Sequence, residues 1–314
     1  MRPKSSVIKL ILGLCFLSVT FFSSAHASIS VTLKRNIPLI KAGISPFKEH
    51  MFLFDTGSRL TYLGEKIALM YDLPKLKKYQ FMSKSNKPVA YFKTNPIKLH
   101  LKGKQMIFQY PMIMNIDFIK SKINKPLAGI IGCEVFARYI VELNYRDKSF
   151  EFWPRKEHKY EGPGTTHPMP LQLAVTNGAP SIKATLHLNE KDSFECVFLI
   201  DSGKSSAFDL SLGLFIANNV DKKIKIAGST KRYAEDGVIE KSVIKIPEIK
   251  IGPYSFKDVY GGLDQNKNDN KPYAGYIGSE ILKRFTVTFD PESKNIYLEP
   301  NKDLNDSFPN PIRK

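Results

Sequence analysis

The chain reads as an all-β protein built from two homologous lobes, and three observations carry that expectation. The run Asp55-Thr56-Gly57-Ser58 returns as Asp201-Ser202-Gly203-Lys204, 146 positions later (201 minus 55). The run Lys125-Pro126-Leu127-Ala128-Gly129-Ile130-Ile131-Gly132 returns in the same register as Lys271-Pro272-Tyr273-Ala274-Gly275-Tyr276-Ile277-Gly278. Around these runs lie short alternating apolar segments separated by turn residues, which is the pattern of compact β lobes.

The repeat continues beyond the second motif. It pairs Glu134 with Glu280, Arg138 with Arg284, Val141 with Val287, Asn144 with Asp290, Lys148 with Lys294 and Pro154 with Pro300. Each Asp precedes its Ala-Gly-x-Ile-Gly run by the same distance, since 129 minus 55 and 275 minus 201 both give 74. Gly103 and Gly252 are offset by 149, so a three-residue insertion and its compensation lie between. Two copies at this spacing describe paired lobes rather than a solenoid, which needs shorter periods and more copies.

The elements follow in order. Residues 1–27 have the form of a secretory signal: Arg2, Lys4 and Lys9, an apolar run over 10–22, and the small-x-small site Ala25-His26-Ala27. The run is short for a membrane span. Residues 28–154 form the N-terminal lobe, with strands expected at 28–33, 37–44, 49–54, 97–101, 105–110, 141–143 and 149–153. A linker follows at 155–170, with three prolines and two glycines. The C-terminal lobe covers 171–300, with strands expected at 181–188, 195–200, 243–251, 285–289 and 295–298. The polar tail 301–314 is expected to fray. Helix is scarce; Glu134 with Arg138, and Glu280 with Arg284, are spaced i, i+4 and are expected to brace one short helix each.

The formal charge is +17, or +14 once Arg2, Lys4 and Lys9 leave with the signal. The lysines are scattered rather than blocked, and no arginine-aromatic stripe accompanies them. This argues for a solvated basic surface, against nucleic-acid binding, and for at most a weak, salt-sensitive association with an anionic envelope surface. The histidines lack metal-ligand spacing, so neither metal nor cofactor is expected. Cys133 and Cys196 fall at non-equivalent ends of the repeat, and free buried thiols are expected rather than a disulfide.

The chemistry rests on the two aspartates. Met51-Phe52-Leu53-Phe54 and Val197-Phe198-Leu199-Ile200 are buried-strand patterns, and each delivers a carboxylate into a sharp turn. A carboxylate at the end of a buried strand is costly unless it is bonded or functional. Two carboxylates brought together can share one proton, so that one acts as base and the other as acid.

On Phe54-Asp55-Thr56-Gly57-Ser58 with Ile130-Ile131-Gly132, and Ile200-Asp201-Ser202-Gly203 with Tyr276-Ile277-Gly278, the chain resembles the aspartic protease superfamily, in particular its retropepsin-like and pepsin-like members. The resemblance implies a bilobal acid-protease fold, with β-barrel-like lobes either side of a cleft. It implies that Asp55 and Asp201 are the catalytic pair, that Thr56 and Ser202 lock the two loops together, and that Ser58 bonds the outer oxygen of Asp55. Gly57 and Gly203 complete the turns. The expected activity is that of a monomeric aspartic endopeptidase acting on polypeptides without cofactor, from the periplasm or secreted medium of a bacterium. The alternatives are a catalytically inactive protease-like protein that binds peptides or inhibits in the envelope, and an envelope scaffold with a vestigial pair.

Two positions depart from the family pattern. Lys204 stands where a small or hydroxyl residue is usual; its long stem is expected to carry the charge outward. No clear flap is legible; the candidate hairpins are 81–92 and 227–238, with Tyr91 and Tyr233 at their tips.

Overall fold

The computed structural model describes residues 28–45, 48–83, 87–156, 171–172, 174–176, 178–217, 223–234, 237–264 and 271–312. The expected signal segment and most of the expected linker lie outside the described residues.

The apolar alternation of the sequence becomes strand almost throughout. Every expected strand is present, all but one within a few residues at its ends: Ile29–Lys34, Ile37–Ser45, Lys48–Asp55, Ile97–Leu101, Lys104–Phe108, Tyr139–Asn144 and Ser149–Pro154 in the first half, and Ala179–His187, Ser193–Asp201, Gly237–Ile251, Phe285–Asp290 and Asn295–Pro300 in the second, where the strand expected from 243 starts at Gly237 instead. Shorter strands not legible in the sequence complete the sheets, among them Tyr62–Gly64, Gly129–Gly132, Phe208–Ser211 and Gly275–Gly278. The fold is all-β and bilobal, as expected.

The strands form one eight-stranded sheet in the C-terminal half and one fifteen-stranded sheet that runs from the N-terminal half across to the chain's end. The crossing point is an antiparallel pair of equivalent strands, Tyr139–Asn144 and Phe285–Asp290, with Val141 opposite Phe289 and Leu143 opposite Val287. Their outer partners, Ser149–Pro154 and Asn295–Pro300, are also equivalent. Both outer hairpins turn on a lysine with positive φ, Lys148 at 54° and Lys294 at 57°. That conformation costs a non-glycine residue roughly 1 kcal/mol or more, so its presence in both lobes follows from the shared turn geometry.

Phe54, on the first Asp-bearing strand, stacks edge-on against Phe150 at a centroid separation of 5.0 Å, and both rings are fully buried. Burying a ring of this size contributes roughly 1.5–3 kcal/mol. The strand that carries Asp55 is thus anchored from beneath by the interlobe sheet.

Two expectations fail. The tail does not fray over its described length: Arg284, fully buried, donates from Nη1 to the carbonyls of Asp303, Leu304 and Asp306 at 2.9, 2.9 and 2.7 Å, and Phe308 lies over its guanidinium at 3.9 Å. A buried guanidinium needs acceptors, and the tail's carbonyls supply them. The first-lobe brace is also absent. Arg138 is exposed, and Glu134 instead accepts a hydrogen bond from the backbone N–H of Thr61 at 2.9 Å. Only Glu280 keeps an arginine partner, at 3.9 Å from Arg284.

Candidate active site

Each Asp closes a strand that runs parallel to a glycine-bounded partner. Gly132 lies beside Asp55 and Gly278 beside Asp201, and the antiparallel neighbours opposite Gly129 and Gly275 are Leu63 and Leu210, 147 apart (210 minus 63), so the second loop holds one extra residue. The loop after each Asp crosses over the glycine. A Cβ on Gly132 would stand 2.8 Å from the carbonyl oxygen of Ser58, and one on Gly278 would stand 2.8 Å from that of Lys204. The same two carbonyls accept hydrogen bonds from the N–H groups of Cys133 and Ser279, both at 2.7 Å. The Ile-Gly ending of each motif is therefore a packing requirement.

The loops are cross-linked by four hydrogen bonds. The N–H of Thr56 donates to Ser202 Oγ at 3.1 Å, and the N–H of Ser202 donates to Thr56 Oγ1 at 3.0 Å. Each hydroxyl then donates onward, Thr56 Oγ1 to the Ile200 carbonyl at 2.7 Å and Ser202 Oγ to the Phe54 carbonyl at 2.8 Å. Both residues are buried, so every donor and acceptor in the exchange is used. Sequence reasoning anticipated this lock.

The lock pushes each loop against the other's carboxyl. Gly57 abuts Asp201, and Gly203 abuts Asp55 so closely that no side chain fits between. Asp55 and Asp201 are thereby brought to one place, half-buried. Asp55 Oδ1 accepts from the N–H groups of Gly57 at 2.9 Å and Ser58 at 3.2 Å. Two buried neighbours feel the carboxylates. The Cys133 thiol is pushed up to about 12, chiefly by burial and then by the charge of Asp55. Burial also pushes the Tyr145 phenol up, and the charge of Asp201 adds to it. Tyr145 meets Ser279 Oγ at 3.3 Å, and that hydroxyl donates to the Ser202 carbonyl at 2.6 Å.

Three expectations need correction. The Ser58 hydroxyl does not bond Asp55; it donates to the Leu60 carbonyl at 2.9 Å, and the Ser58 backbone serves the carboxylate instead. Lys204 points inward. It is 5 % exposed, with Nζ 2.5 Å from Asp209 Oδ2, 3.9 Å from Asp201 Oδ2 and 4.9 Å from the centre of the Tyr276 ring. Snorkelling loses because a carboxylate and an aromatic face await the ammonium inside. Asp209, an acid in the otherwise apolar stretch Ala207-Phe208-Asp209-Leu210, was the available signal. Tyr91 is not a hairpin tip. The hairpin of Lys77–Met82 and Pro88–Lys93 exists, but Tyr91 lies within a strand opposite Tyr79 and packs 6.0 Å from the Tyr62 ring. Tyr233 does adjoin the turn of its hairpin, paired with Val238.

No family profile matches the chain, and no curated protein matches it in sequence. Among solved structures, the crystal structure of the aspartic proteinase from Irpex lacteus superposes with a TM-score of 0.54 at 12% identity, covering 89% of this chain and 98% of that one. At that identity the likeness is one of fold.

Proposed function

We propose that the protein is an aspartic-type endopeptidase that hydrolyses peptide bonds with a water held between Asp55 and Asp201. The observation that carries this is the reciprocal lock of Thr56 and Ser202, with each carboxyl pressed against the other loop's glycine. Two acids so placed exchange one proton as a pair. The ionised one takes a proton from water, and the neutral one donates its proton to the carbonyl oxygen of the substrate. The tetrahedral intermediate collapses when the amide nitrogen is protonated, and no covalent enzyme intermediate forms. The likeness to the Irpex lacteus proteinase supports the same reading at the level of fold.

A second reading draws on Lys204. A buried ammonium lies 3.9 Å from one member of the pair, Asp201, and 2.5 Å from Asp209. A protein that kept the fold to bind peptides, without turnover, would tolerate it.

The experiment is cleavage of an unstructured polypeptide between about pH 3 and 7, comparing the parent chain with Asp55→Asn and Asp201→Asn. Each variant is expected to stay folded and lose at least about 100-fold in kcat/KM. Cleavage untouched by either substitution would remove the proposal. A parent that binds the polypeptide without cutting it would favour the second reading.

A further inference from the structure

The C-terminal lobe contains a buried ionic cluster that its twin lacks. Lys204, Asp209 and Lys241 are 5, 4 and 8 % exposed. Both ammoniums meet the same oxygen, Oδ2 of Asp209, at 2.5 Å. In the N-terminal lobe Ser58 stands at the position of Lys204, and Tyr62, opposite Ile130 as Asp209 is opposite Tyr276, stands at the position of Asp209. There the same loop and strand close on an uncharged, partly buried Tyr62. The fold therefore does not require these charges, and burying each costs several kcal/mol before its partners offset it. Gly262 accommodates the cluster: a Cβ at this position would lie 2.6 Å from Lys241 Nζ and would collide with Asp209.

The cluster opens into a cavity of about 310 Å³, whose walls include Arg35, Ser205, Thr230 and Lys231 and, from the docked tail, Pro309 and Pro311. Four cationic side chains line it against two carboxylates. Both carboxylates are already engaged, Asp209 by the two lysines and Glu280 by Lys283 at 2.6 Å and Asn36 Nδ2 at 2.7 Å. Lys241 and Asp209 also line a much smaller hollow, where Asp264 and Lys271 are of opposite sign and leave the surplus unchanged. The volume suits a compact molecule and is at the lower end for small-ligand sites. Its lining offers ammonium, guanidinium and hydroxyl donors, the groups that recognise carboxylate and phosphate oxygens.

We propose that this cavity binds a small anion, a compact molecule bearing a carboxylate or phosphate group, and that occupancy is transmitted to Asp201 through Lys204. The binding half stands on the cavity alone. The transmission half rests on the endopeptidase reading. Lys204 links the two places, because its ammonium is within 4 Å of both Asp209 and Asp201. An anion that draws the ammonium towards the cavity changes the charge beside one member of the pair and leaves the other alone.

The test is calorimetric titration of the full chain with inorganic phosphate, and separately with acetate, at about 0.15 M salt to screen the basic surface. Saturable binding with Kd near or below about 1 mM is expected for at least one of them. The exposed rim variants Arg35→Ala and Lys231→Ala should each weaken it about fivefold or more. The triple variant Lys204→Ser, Asp209→Leu, Lys241→Met removes both signs of charge together and takes Lys204 to the first-lobe residue. It avoids stranding one buried charge, so it should fold and bind neither probe. Absence of saturable heat up to tens of millimolar overturns the binding half. So does binding that survives in the triple variant, because the anion then sits elsewhere. If the parent cleaves peptides, saturating phosphate or acetate should change its kcat/KM, and an unchanged value ends the transmission half. A chain that binds anion but cuts nothing retains the cavity site and loses the endopeptidase reading.

Discussion

Gly57 lies against the carboxyl of Asp201 so tightly that one added carbon would stand 2.6 Å from its Cγ. Gly203 holds the mirror position against Asp55. The glycine of each Asp-Thr/Ser-Gly motif thus serves the aspartate of the other lobe as well as its own turn. Gly57→Ala and Gly203→Ala should each displace the opposite carboxyl. A displacement of about 1 Å at a reacting group can cost on the order of 100-fold in rate. Steady-state kinetics on a cleaved peptide should show the loss in kcat more than in KM. Full activity in Gly203→Ala would mean that the approach is incidental.

The lock of Thr56 and Ser202 predicts a measurable coupling. Thr56→Val strands the N–H of Ser202 and the carbonyl of Ile200, and Ser202→Ala strands the N–H of Thr56 and the carbonyl of Phe54. Each should destabilise by about 1–3 kcal/mol. Because the two share one network, the double variant should fall short of the sum by roughly 0.5 kcal/mol or more. Urea unfolding of the four proteins of this cycle decides it, and strict additivity would show that the hydroxyls act independently.

Stability in acid should depend on Glu248. Its carboxylate accepts from Lys257 Nζ at 2.8 Å and Ser255 Oγ at 2.5 Å, with Lys250 3.7 Å away. The hydrogen bond from Lys257, then that from Ser255, hold it down to about 2, against an ordinary 4.5. A depressed folded-state value stabilises above the ordinary value, and the contribution is lost as pH falls towards 2. Glu248→Gln should therefore melt below the parent at pH 6, and the two melting temperatures should converge by about pH 2. A gap that stays constant with pH would contradict this assignment.

Cys133 and Cys196 should behave as inert thiols. Both are buried and unbridged. Burial is the main cause that pushes each up to about 12, with the charge of Asp55 added at Cys133 and that of Glu195 at Cys196. Since the thiolate is the reactive form, neither should react with a thiol reagent at pH 8 in the native protein. Both should react in denaturant. Rapid native labelling, or a mass two protons below that of the dithiol chain, would refute this.

The all-β class, the duplication, the positions of the main strands and the two Asp-bearing turns were legible in the sequence. These features rest on local patterns, alternation and turn residues, and on a repeat that carries the same pattern twice. The resemblance implied the pairing of Thr56 with Ser202, and the structure has each backbone N–H bonded to the other residue's hydroxyl. Short strands such as Tyr62–Gly64 and Gly275–Gly278 were not legible, because three or four residues acquire their character only from the strands beside them.

Tertiary structure alone decided where the charged side chains went. Lys204 turned inward because Asp209 and Tyr276 meet it there, and Lys241, which shares the carboxylate, is 37 positions further on (241 minus 204). Arg284 captured the tail, while its counterpart Arg138 remained at the surface. Identical residues in a repeated frame thus took different fates. A strand's alternation is a property of its own residues, but the stability of a buried charge depends on partners that only the folded chain brings within reach.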